Sequence, residues 1–175
     1  ASEVYFENVS VGADAVIGAA DGALPVVERI VDEANAAYNH EAVGCMRMMT
    51  ELTREYAKTR QQFGKAIATF QVLQHRMVDM FMASEESYSM ALRATILLGG
   101  TDEERAKAVS AAKVSIGKHS RFVGQAAVQI HGGMGVTDEM RVGHYFKRVT
   151  MLDATFGNVD YHLRRFTALN AKSAA

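Results

Sequence analysis

The sequence predicts an all-α protein, an antiparallel four-helix bundle with a short strand at its N-terminal end, on three observations. Pro25 is the only proline among 175 residues, where average usage would place about nine, so long unbroken helices are allowed almost everywhere. Apolar residues recur every three or four positions over long stretches, the spacing of a buried helix face. Short glycine-bearing breaks separate these stretches, and short connections make antiparallel neighbours the economical packing.

The elements follow in order. Val4-Tyr5-Phe6-Glu7-Asn8-Val9 mixes β-branched and aromatic residues and reads as one strand, followed by a loop rich in glycine up to Gly22. A lone strand cannot satisfy its own ladder, so its partner lies in a domain this chain does not visibly contain. From Pro25, well suited to a first helical turn, a helix runs to about residue 59 through Ile30, Ala34, Met46, Met49 and Tyr56. A second runs through Leu73, Met77, Met80, Ser84, Ala91 and Thr95 until Gly99-Gly100. Thr101 and Glu104 form a capping-box pattern that opens a third helix, which the glycines after His131 stop. Thr137-Asp138-Glu139 opens a last helical region that breaks near Gly157 and resumes to about residue 170. The methionines at 46, 48, 49, 77, 80, 82 and 90 read as core filler on the first two helices.

Composition narrows the function classes. A hydrophobic fraction of 49% and a charged fraction of 22% are those of a soluble globular chain. The net charge of −1, without a basic block, disfavours nucleic acid. Cys45 is alone, so no internal disulfide can form, and no apolar run reaches the length of a membrane span. These features suggest a soluble protein of a reducing compartment, placed in the cytoplasm. No Glu has a His three places later, as a di-iron bundle needs, and His40-Glu41 lacks the second His of a zinc helix, so no metal site is expected.

Two stretches invite a functional reading. In Arg60-Gln61-Gln62-Phe63-Gly64-Lys65, Arg60 offers a fork to phosphate oxygens, Phe63 a stacking face and Gly64 a close backbone turn; an ordinary helix terminus explains the same residues. In Gln129-Ile130-His131-Gly132-Gly133-Met134-Gly135, bare backbone can approach a flat or phosphorylated ligand beside the amide of Gln129; a glycine helix stop is the alternative.

In this order the pieces resemble the acyl-CoA dehydrogenase family. Phe6-Glu7-Asn8-Val9 and its loop look like the end of that family's central β domain. Tyr56-Ala57-x-x-Arg60-x-Gln62-Phe63-Gly64-Lys65, then Phe70-Gln71, is similar to its RxQFGxxxxxxQ signature, and Gln129-Ile130-x-Gly132-Gly133-x-Gly135 to its QxxGGxG turn. The resemblance implies that residues 1–20 end the β domain and its linker, that 21–175 form the C-terminal helical domain, and that about half of a normal subunit is absent. It implies FAD, an acyl-CoA substrate, a homo- or hetero-oligomer and an electron acceptor such as an electron-transfer flavoprotein. Arg60, Gln62 and Phe63 are then expected on the adenosine and pyrophosphate of an FAD held mainly by a neighbouring subunit, with Gln71, Gln129, Gly132 and Gly133 completing the contact. Asn158 and Asp160 stand where the family usually touches the flavin of its own subunit, Asp160 being a departure.

The larger departure is at the catalytic base. Where many members carry Glu before the glycine here numbered 157, this chain has Phe156, which cannot accept a proton. Other members place the base on the first helix, at a position occupied here by Ala34 beside Glu33, and the family's substrate-side arginine is replaced by Asn35. The catalytic residue is therefore unassigned. The readings that follow are a dehydrogenase subunit, a non-catalytic subunit of a heteromer, or a plain helical oligomerisation domain.

Overall fold

The computed structural model describes residues 2–173. Its helices are α1 (Ala23–Thr59), α2 (Gln71–Ile96), α3 (Asp102–His131), α4 (Arg141–Ala154) and α5 (Val159–Ser173), so the last helical region is two short helices that follow three long ones in the chain. Between α1 and α2 lies a two-stranded antiparallel hairpin, β1 (Gln61–Gln62) and β2 (Lys65–Ala66). No helix of the described residues is long and apolar enough to cross a membrane.

Helix boundaries fall where local chemistry puts them. Thr101 Oγ1 accepts from the Glu104 amide at 3.3 Å while the Thr101 amide donates to Glu104 Oε2 at 2.9 Å, so two otherwise free donors of α3 are satisfied reciprocally. α3 is the central helix and packs against α1, α2, α4 and α5. Its inner face, with Val109 and Val123, shares one core with Met46, Met49, Met80, Val142 and Val149. The methionine stripe is split: Met46, Met49 and Met80 are fully buried, whereas Met48 and Met82 face outward.

The expected N-terminal strand does not form. Residues 4–9 run without a ladder, and Val4, Tyr5, Phe6 and Val9 are exposed. The physical reason is the one the sequence already contains: β-propensity alone does not hold a strand that has no neighbour to pair with.

A polar cluster joins three helices inside the bundle. Asp32 of α1 is fully buried and receives Arg165 of α5 in a fork, Nη1 to Oδ1 at 2.6 Å and Nη2 to Oδ2 at 3.1 Å, with Arg105 Nε of α3 at 3.3 Å. Three helices are thereby tied to one carboxylate. One turn on, Asn35 is also fully buried with neither amide atom paired, which nothing in the structure explains.

Candidate cofactor groove

The Arg60 amide closes α1 by bonding the Tyr56 carbonyl at 2.8 Å, and the chain then reverses at once. Gln61 pairs with Ala66 and Gln62 with Lys65, and the Ile67 amide bonds the Arg60 carbonyl at 2.8 Å. Two residues are left for the turn, Phe63 at φ 56° and Gly64 at φ 77°. Positive φ at both central residues is the pattern of a type I′ hairpin, which prefers Asn-Gly. A phenylalanine there costs about 1–2 kcal/mol of backbone strain. Its own fold gives little back, because Phe63 is 92% exposed. Its one ring contact is edge-on to Phe70, over which Lys65 Nζ stands 4.4 Å from the centroid.

This hairpin forms one bank of a groove of about 780 Å³. The start of α2 supplies Phe70, Val72 and Arg76, and the end of α3 supplies Gln129, Gly132 and Gly133. The floor includes Tyr56 and His131, whose rings stack at 4.4 Å and 23°. His131 Nδ1 bonds the Ala127 carbonyl at 2.8 Å, and burial pushes its pKa below the usual histidine value, so it is a neutral structural ring. Gly132 ends α3 at φ 61° and ψ −142°, close to a region essentially reserved for glycine, and the next residues tighten into a 3₁₀ turn over Gly132–Val136.

The groove's electrostatics favour an anion. Neither Arg60 nor Arg76 pairs with a carboxylate among the described residues. α2 has Phe70 as its N-cap and no side-chain cap, so the amides of Gln71 and Val72 are unpaired donors among the described residues, at the positive end of a 26-residue helix. Two guanidinium groups, free amides and an exposed aromatic ring together match a ligand that carries both phosphates and flat rings.

Of the residues the sequence singles out, Arg60, Gln62, Phe63, Gln129, Gly132 and Gly133 line this one groove. Gln71 does not line it; it is exposed at the first position of α2, between two residues that do. Asn158 and Asp160 lie elsewhere, on a smaller pocket of about 250 Å³ with Lys118 and Arg121. There Asn158 Oδ1 accepts from the Tyr161 amide at 3.0 Å and caps α5, while Asp160 is exposed in its first turn. Arg76 is the groove residue that the sequence reading misses. A cation one turn inside an uncapped helix start, after an arginine at the previous helix end, was the available signal.

The turn between α4 and α5 carries Phe156 at φ 53°. Its ring stacks on Tyr38 of α1 with centroids 5.7 Å apart. Its carbonyl accepts from Nε2 of the fully buried His162 at 3.1 Å, and Lys113 Nζ donates to the Leu152 carbonyl at 2.5 Å. The turn is thus pinned from α3 and α5. Glu33 pairs with Arg29 at 3.0 Å on the solvent side of α1. It lies about 140° around the helix from Tyr38, whereas Ala34 shares the Tyr38 face one turn away.

Comparison with known proteins identifies the family. Residues 24–168 match the family described as acyl-CoA dehydrogenase, C-terminal domain. The chain is 31% identical over 143 residues to acyl-CoA dehydrogenase FadE34 of Mycobacterium tuberculosis, covering 81% of this chain and 20% of that protein. It is 29% identical over 170 residues to the very long-chain specific mitochondrial enzyme of Bos taurus, covering 96% of this chain and 26% of that one. Among solved structures, the Tcur3481-Tcur3483 steroid ACAD G363A variant superposes with a TM-score of 0.80 at 27% identity over 87% of this chain and 41% of that chain. PigA with FAD and proline does so with 0.73 at 26%, over 81% of this chain and 37% of that chain. The chain spans between 20% and 43% of the length of the curated relatives it matches. It belongs to the acyl-CoA dehydrogenase family of oxidoreductases and corresponds to that family's C-terminal helical domain.

Proposed function

We propose that this chain is the C-terminal domain of an FAD-dependent acyl-CoA dehydrogenase subunit, following a β domain that ends near residue 20. Its groove takes the adenosine and pyrophosphate of an FAD held mainly by a neighbouring subunit. The observation that carries this reading is Phe63, held at positive φ in a two-residue turn and 92% exposed beside two unpaired arginines. Strain of that kind persists where a residue is used rather than where it merely packs.

In this reading Arg60 and Arg76 hold the pyrophosphate, Phe63 lies against a ring, and Gln62, Gln71, Gln129, Gly132 and Gly133 supply amide and backbone contacts around it. Asn158 and Asp160 face the flavin of the chain's own subunit, with the carboxylate of Asp160 as a negative charge there. When bound, FAD supplies the two-electron acceptor for α,β-dehydrogenation of an acyl-CoA thioester, and an electron-transfer flavoprotein is a fitting onward acceptor. Removal of the α proton needs a base that Phe156 cannot be.

The Phe156–Tyr38 stack and the outward Glu33–Arg29 pair favour a second, more specific reading: this subunit contributes cofactor contacts in a heteromer whose partner supplies the base. Steroid-bearing thioesters are the first acyl class to test, because a steroid ACAD is among the solved structures this chain resembles. FAD titration of the full-length subunit, with and without co-purifying partners, tests the proposal. Flavin should be bound by the assembly, and the 175-residue chain alone should purify colourless. An assembly that binds no flavin under any of these conditions leaves only a helical oligomerisation domain.

A further inference from the structure

We propose that a single water molecule is built into the bundle between α1, α3 and α4, held by Asn39, Lys113 and Asp153. A cavity of about 10 Å³ lies there, lined by these three residues together with Tyr38, Gly117 and Ser120. That volume, counted as space for the centre of a water, is about what one molecule needs. The lining is polar and incompletely paired. Asn39 is 1% exposed and its Nδ2 has no protein partner; Asp153 Oδ1 is buried and has none either. Lys113, 3% exposed, donates to the carbonyls of Leu152 and Asp153 at 2.5 and 3.3 Å, which uses two of its three N–H groups. Ser120 is already turned back to the Gly117 carbonyl at 3.2 Å.

The unpaired groups complement one another through a water. A water oxygen accepts from Asn39 Nδ2 and from the third N–H of Lys113, and one of its hydrogens goes to Asp153 Oδ1. Three bonds are the usual number for a buried water. Without it, each unmet group carries a desolvation cost with no return. Residue 117 must be glycine for the carboxylate to sit here, since a Cβ would come within 2.6 Å of Asp153 Oδ1. A hollow of about 20 Å³ and the pocket of about 250 Å³ beside Asn158 share Gly117 and Asp153 with this cavity.

The consequence lies in the α4–α5 turn. Lys113 and the water together fasten the last carbonyls and the last carboxylate of α4 to α3 and α1, immediately before the turn that presents Phe156. The water is therefore a structural part that positions this turn, independent of whether flavin is bound.

A high-resolution crystal structure of the full-length subunit, compared with that of Asn39→Leu, tests this. The wild type should show one ordered water within hydrogen-bond distance of Asn39 Nδ2, Lys113 Nζ and Asp153 Oδ1. Asn39→Leu should lose that density and melt on the order of 5 °C lower, because Lys113 and Asp153 are left unmatched. A wild-type structure in which Asn39 bonds Asp153 directly with no water between them overturns the proposal, as does an Asn39→Leu protein that melts at the same temperature or higher. If Asn39→Leu does not fold, the wild-type density alone decides.

Discussion

Phe63 meets Phe70 edge-on, with ring centroids 6.1 Å apart and planes at 87°, and this is the one ring contact that a residue 92% exposed makes. The turn it occupies suits asparagine better, so stability and binding pull against each other at this position. Phe63→Asn is expected to hold or raise folding stability by about 1 kcal/mol through relief of backbone strain. The same change should weaken flavin binding by the assembly about tenfold or more, the loss of one stacked ring. Urea melts and FAD titration measure the two effects separately. A variant that loses stability and keeps its flavin would make Phe63 a structural residue.

Asp32 is fully buried among two guanidinium groups that come from helices distant in sequence. Removing one member of such a cluster strands charge in the interior. Asp32→Ala should therefore destabilise the domain by about 3–5 kcal/mol, read from denaturant unfolding. Far weaker effects are expected from Arg54→Ala, whose partners Glu51 and Glu55 are exposed on the same helix.

His162 gives the fold a sensitivity to acid. Burial is the main cause that lowers its pKa to about 4, whereas an unfolded histidine titrates near 6.5. Between these values the unfolded chain binds the extra proton and the folded one does not, so stability is fully present above about pH 6.5 and falls as the pH drops toward 4. The loss over that window is on the order of 3 kcal/mol for this one residue. His162→Gln, which keeps a donor for the Phe156 carbonyl, should flatten the slope of unfolding free energy between pH 7 and pH 4.5 even if it lowers the value at pH 7.

Phe156 and Glu33 together decide between the two readings of the assembly. In a heteromer whose partner supplies the base, the purified homomer is inactive toward every acyl-CoA offered, and Glu33→Gln changes nothing in the active complex. A base on the first helix would instead make Glu33→Gln cost about 10² to 10⁴ in rate with flavin retained. The orientation of Glu33 toward Arg29, away from the Tyr38 face, supports the first outcome. Steady-state turnover with dye reduction distinguishes them. Brisk turnover of the homomer that survives Glu33→Gln contradicts both.

What the sequence made legible was local. Periodicity and the Thr101–Glu104 box located the long helices to within two residues at most ends, because one buried face and one cap determine them. The residues of the hairpin and of the glycine turn line one groove, but that the two stretches meet was readable only through the family resemblance, not from their chemistry. Relations between distant segments were not legible. The pairing of Asp32 with Arg165, 133 positions apart, depends on how α5 docks, which no local pattern encodes. Arg76 depends on which face of α2 turns to the groove, and residues 4–9 on a partner strand that must come from outside the segment itself.

The central claim is that the Arg60 guanidinium binds the phosphates of a flavin dinucleotide, and the most direct measurement is the flavin content and FAD affinity of the purified full-length assembly carrying Arg60→Ala. A charge-assisted contact of this kind is worth about 1.5–3 kcal/mol, so affinity should fall roughly 10- to 100-fold while the helical content and oligomeric state stay those of the wild type. Wild-type flavin affinity in a correctly folded and assembled Arg60→Ala protein would contradict the account.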